Sequence, residues 1–127
     1  MSSPHPDIEI YIKSTPIEAI SAWLEQRFGS LAPWQSKGLV HTSALTWQGQ
    51  KIPITLHEKV AGKAWMSLWF QSNQTPWSQD LDCAQEAATA LNTQIRCIVS
   101  GWQEGDEPDE WWSVEQGEAT KVLWRTE

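Results

Sequence analysis

The sequence predicts an α+β two-layer sandwich, a mainly antiparallel sheet of five to seven strands with two helices on one face, in the order β-α-β-β-β-α-β-β(-β). Three observations predict it. Strict alternation of isoleucines opens the chain, two segments with helical apolar spacing are separated by a run of strands, and glycine-centred turns punctuate that run. Residues 1–7 read as a flexible leader and 8–127 as one domain, a length that buries a core without staples.

Ile8, Ile10 and Ile12 alternate with Glu9, Tyr11 and Lys13, the period of a strand with one apolar face. Thr15-Pro16-Ile17-Glu18 has the form of a capping box with proline at the first helical position. Ile17, Ile20, Leu24 and Phe28 then recur at helical spacing up to Gly29, so a helix is expected over 15–28. Residues 30–37 read as a loop, with Pro33 opposing helix continuation.

Three antiparallel strands are expected between Gly38 and Gln71. A two-residue turn at Gly49-Gln50 pairs Trp47 with Ile52, Leu45 with Ile54, Ser43 with Leu56 and Leu39 with Val60 on a mostly apolar face. Thr42, Thr46, Thr55, His57 and Lys59 fall opposite, and Pro53 demands an edge or unpaired position. Met66, Leu68 and Phe70 share one side of the next strand, which turns Trp65, Ser67 and Trp69 away from the core.

A second helix starts at Ser78 or Asp80, with Asp80 and Asp82 favourable against its dipole, and runs on Leu81, Ala84, Ala88 and Leu91 to a stop at Asn92. Its alanines permit close approach to a sheet. A strand over 94–102 places Ile95, Cys97 and Val99 on one side and Arg96, Ile98, Ser100 and Trp102 on the other. A final hairpin turns near Gln116-Gly117, pairing Trp112 with Val122 and Val114 with Thr120.

Composition narrows the function. The net charge of −7 is unevenly laid: residues 27–63 carry five bases and one acid, residues 80–127 eleven acids and three bases. Net acidity argues against nucleic acid and anionic membranes as partners, and no apolar run approaches membrane-spanning length. Cys83 and Cys97 lack CxxC spacing and read as buried free thiols. Without a secretory signal pattern, a soluble cytoplasmic protein is expected. Phosphate-loop, dinucleotide, hydrolase-elbow and zincin motifs are missing, so neither cofactor nor metal is expected.

What remains is ten tryptophans against one tyrosine and two phenylalanines. Tyr11, Trp65, Trp69, Trp102 and Trp111 form the expected binding surface, because clustered exposed aromatics mark interaction sites. The competing expectation is that the 101–119 segment folds back over them. The acidic loop Glu104, Asp106, Glu107, Asp109 and Glu110 is read as a hydrated charge run that faces a basic partner, in preference to a cation site. His41 faces Glu58 in the proposed register, the minimal unit of acid–base chemistry, but no nucleophile stands beside it in sequence, so a structural pair is expected. The leading function is therefore an interaction module that contacts a protein partner or its own copy. The rival is an enzyme or small-molecule carrier with a pocket lined by Trp102, Trp111 and Trp112 and served by Arg96, Glu104 and Asp106.

Overall fold

The computed structural model describes residues 8–29, 31–59, 64–71, 77, 80–98, 110–115 and 118–123. Strand β1 (Ile8–Lys13) leads into helix α1 (Ile17–Phe28), followed by β2 (Gln35–Lys37), β3 (Val40–Trp47), β4 (Gln50–His57) and β5 (Trp65–Phe70). Helix α2 (Asp80–Leu91) precedes β6 (Ile95–Ile98), β7 (Glu110–Glu115) and β8 (Glu118–Leu123). The strands form one eight-stranded sheet in the order β2-β3-β4-β5-β1-β6-β7-β8. Every neighbouring pair is antiparallel.

Both helices cover the same side. Ile8, Ile10 and Ile12 of β1 form one core with Ile52, Ile54 and Leu56 of β4, Leu68 and Phe70 of β5, Ile95 and Cys97 of β6, and Val114 of β7. Ile20, Trp23, Leu24 and Phe28 of α1 close it from above, together with Cys83, Ala84, Ala87 and Ala88 of α2. The small residues of α2 are buried against β1, β6 and β7, as its alanine content predicts. The predicted fold class therefore holds, with eight strands rather than five to seven.

The additional strand is β2, in the segment read as a loop. Its three residues are all exposed, so no apolar alternation announced it. Its pairing follows from the two-residue turn at Gly38-Leu39, where Gly38 takes φ +63. The start of α1 also differs from expectation. Pro16 is the N-cap and no side chain caps it, because the Thr15 hydroxyl donates to the Lys13 carbonyl at 3.0 Å instead. The other end is as read, with Gly29 at φ 85 donating its N–H to the Glu25 carbonyl.

Two hairpin registers are corrected, each by its turn. The β3–β4 turn is Gln48-Gly49, with φ 50 and 78, as a type I′ turn requires. The pairs are accordingly Trp47 with Gln50, Leu45 with Ile52, Ser43 with Ile54 and His41 with Leu56. That is a shift of two residues, which preserves faces, so Leu45, Ile52, Ile54 and Leu56 still point to the core. In the last hairpin the shift is one residue: Trp111 pairs with Val122, Trp112 with Lys121 and Val114 with Ala119. Pairing Glu115 with Glu118 leaves two residues between the strands, and that even loop overrides the apolar match that placed Val122 opposite Trp112. Pro53 lies on the interior strand β4, at the end of its pairing with β5. Its carbonyl accepts the Gln71 N–H at 2.8 Å, and its nitrogen faces the same neighbour, so the one ladder bond a proline cannot donate, to Gln71, falls at the end of the β4–β5 pairing.

Gln48 holds a left-handed conformation that asparagine adopts at lower cost. Gln48→Asn is expected to stabilise the protein by about 0.5 kcal/mol in urea denaturation; a loss of stability would contradict the turn assignment.

Candidate functional site

The sheet side opposite the helices carries a continuous register. Lys37, Val40, His57, Ser67, Tyr11, Arg96, Ser113 and Thr120 follow one another across all eight strands. In the neighbouring row Thr55 pairs with Trp69 and Trp69 with Glu9, while on the other flank Trp65 pairs with Lys13. The period of two that buries Leu68 and Phe70 places Trp65 and Trp69 here.

Small residues lie between large ones. Ser67 is buried, flanked on β5 by Trp65 and Trp69 and opposed by Tyr11. The Arg96 guanidinium lies 4.8 Å from the Trp65 ring centroid, a cation–π contact. Tyr11 meets Trp111 edge-on at 5.2 Å and 82°. Burial, with Glu9 adding to it, raises the Tyr11 phenol above its ordinary range, and burial lowers the Arg96 guanidinium. Tyr11 therefore stays neutral, leaving its ring and hydroxyl as a polar apolar mixture suited to contact.

Exposure is graded across the predicted surface. Trp69 is 37% exposed and Trp111 9%, while Trp65 and Tyr11 are half-buried. Trp69 is thus the open ring, and Trp111 contributes an edge against Tyr11. Trp102 and the acidic residues Glu104, Asp106, Glu107 and Asp109 lie outside the described residues, and Glu110 opens β7. The pocket envisaged between the sheet and 101–119 depends on Trp102 and also lies outside them. Charge on this side is divided: Lys37 and Lys51 are exposed on β2 and β4, Glu115 and Glu118 on β7 and β8.

Five other tryptophans belong to the helix side. Trp23, Trp34, Trp47, Trp77 and Trp112 all join or pack on the core. Glu86 of α2 gathers three donors there: the Trp23 indole at 3.3 Å, the Trp77 indole at 3.2 Å, and Arg27 Nε at 3.0 and 3.2 Å. Arg27 in turn lies 5.2 Å from the Trp47 centroid and 5.9 Å from that of Trp77. Sequence reasoning missed this junction, since nothing local links positions 27 and 86.

His41 and Glu58 do meet, though not as cross-strand partners. His41 pairs with Leu56, and Glu58 reaches it from beyond β4, with Oε2 2.6 Å from Nε2. The residue that sequence reasoning missed is Ser36, whose Oγ lies 2.6 Å from His41 Nδ1. The signal was present in Gly38, which creates the hairpin that juxtaposes positions 36 and 41. Among the described residues no group of three His, Cys, Asp or Glu side chains is arranged to hold a metal ion, and no described helix is long and apolar enough to cross a membrane.

Comparisons with protein-family models, curated proteins and solved structures returned no match.

Proposed function

We propose that the protein is a small interaction module whose helix-free sheet side docks on a second copy of the chain. The observation that carries this is Trp69, 37% exposed in the middle of a sheet side that neither helix covers. Large rings in such a setting bury apolar area on contact at low conformational cost.

Charge favours the chain's own copy over an unrelated protein. Lys37 and Lys51 occupy one end of the strand order and Glu115 and Glu118 the other. A two-fold axis lying along the strands sets the β2–β4 half of one copy over the β7–β8 half of the other, so unlike charges meet while the aromatic middle meets itself. Size is adequate. Eight strands spaced about 4.8 Å apart and about 20 Å long present roughly 600–700 Å², close to the ~800 Å² per partner of a standard interface.

Sedimentation velocity from low to high micromolar concentration tests the reading. The wild-type chain is expected to shift from monomer to dimer, the shift weakening with added salt, and Trp69→Lys is expected to remain monomeric while keeping its circular dichroism spectrum. A wild-type chain that stays monomeric throughout, or a Trp69→Lys variant that dimerises as well as wild type, would overturn it.

A further inference from the structure

We propose that Ser36, His41 and Glu58 form an acyl-transfer site at the β2 edge of the sheet, with Ser36 as nucleophile toward small activated acyl esters. This inference is independent of self-association, since all three groups lie away from the Trp69 side.

The arrangement begins with backbone register. The two-residue turn makes Lys37 and Val40 the closing, hydrogen-bonded pair of the hairpin. Ser36 and His41 are then a non-bonded pair, the closer kind, with Cα atoms about 4.5 Å apart. That proximity brings Oγ within 2.6 Å of Nδ1. On the far side of the ring, Glu58 is held by its own N–H, which donates to the Leu39 carbonyl at 2.9 Å. A turn and a strand end therefore fix the carboxylate against Nε2.

The partners dictate the proton positions. A carboxylate only accepts, which places the imidazole proton on Nε2 and leaves the Nδ1 lone pair to accept from the Ser36 hydroxyl. This is the order of a nucleophile, a base and an orienting acid, recognised by roles and geometry and not by sequence position. Exposure is graded to suit it: the His41 side chain is 13% exposed and Glu58 39%, while Ser36 is exposed. The base is sheltered and the hydroxyl is within reach of a substrate.

The chemistry balances with water as the second reactant. Ser36 Oγ bonds to the ester carbonyl carbon as its proton passes to His41 Nδ1. The C–O bond to the alcohol then breaks, and the alcohol leaves with that proton. Water attacks the acyl-serine carbonyl, giving one proton to Nδ1; the Oγ–acyl bond breaks, Ser36 recovers the proton, and the carboxylic acid departs. Because Lys37 points its backbone groups at β3, the Ser36 N–H points outward along the sheet edge, placed to donate to the developing oxyanion.

The test is p-nitrophenyl acetate added to the full chain, with nitrophenolate release followed and the acetyl group located by peptide mass spectrometry. Acetylation is expected on the peptide holding Ser36, absent in Ser36→Ala and slowed roughly 100-fold in His41→Gln. Thr89→Ala, on α2, should match wild type. Glu58 is a positioning residue: Glu58→Gln should slow the step and Glu58→Asp recover part of it. Acetyl groups on lysines alone, or unchanged rates in well-folded Ser36→Ala and His41→Gln, would sink the proposal. Fluorophosphonate labelling of the unaltered chain guards against misfolded variants, because failure to modify Ser36 there overturns it too.

Discussion

Glu86→Ala is expected to lower the unfolding free energy by about 3 kcal/mol, which for a domain of this size lowers the melting temperature by about 10 °C. The cause is the number of donors stranded by one truncation. Trp23 and Trp77 are both buried and both donate their indole N–H to Glu86, so removing the carboxylate withdraws the acceptor those N–H groups share. Arg27 loses its ion pair as well, but its side chain and that of Glu86 are each about a third exposed, and solvent limits that contribution to about 0.5–1 kcal/mol. Glu86→Gln keeps one acceptor oxygen and should cost about half as much. Urea denaturation with an unchanged m-value checks both; an alanine variant within about 0.5 kcal/mol of wild type would show that the junction contributes no stability.

Stability is expected to fall steeply on the alkaline side. Burial pushes the Cys83 thiol well above its ordinary range, with Glu86, Asp80, Cys97 and Asp82 adding to it, and burial followed by Asp80 raises Cys97. Both stay protonated in the fold, whereas in the unfolded chain they ionise near pH 8.5. Above that pH the unfolded state holds fewer protons, so the stabilisation present at lower pH is lost as pH rises. Each thiol contributes up to about 1.4 kcal/mol per pH unit, about 4 kcal/mol for the pair by pH 10. Tyr11, also raised, acts in the same direction at higher pH. Unfolding free energies between pH 8 and 10 should show this slope in wild type and a much flatter one in a Cys83→Ala, Cys97→Val variant. Equal slopes would contradict the burial of the thiols.

The features legible in the sequence were those governed by local periodicity. Ile8, Ile10 and Ile12 identified the face of β1, the spacing of Ile20, Leu24 and Phe28 identified α1, and Met66, Leu68 and Phe70 sent Trp65 and Trp69 to the opposite side. Registers were less legible, because turn geometry decides them. Choosing Gly49-Gln50 over Gln48-Gly49 moved every β3–β4 pair by two positions without disturbing a face, and matching Trp112 to Val122 ignored the parity of a two-residue loop. Strand β2 gave no signal, since Gln35, Ser36 and Lys37 have no apolar side to bury. Ser36 consequently escaped notice beside His41. The Glu86 junction was invisible for a different reason: its members come from α1, α2 and Trp77 and are joined only by tertiary packing.

The place of β1 in the sheet constrains how the chain reaches its fold. Strand β1 is made before both of its neighbours and lies between β5 and β6, so its inner flank has no mate until about sixty further residues have been made, and its outer flank waits for the strand after α2. During that interval the Ile-Glu-Ile-Tyr-Ile-Lys segment is an apolar strand with open ladders, the kind of stretch that seeks neighbouring chains. Its lone glutamate and terminal lysine are the only charges opposing such premature pairing. Expression yield should therefore be more sensitive to their loss than the equilibrium stability of the finished sheet.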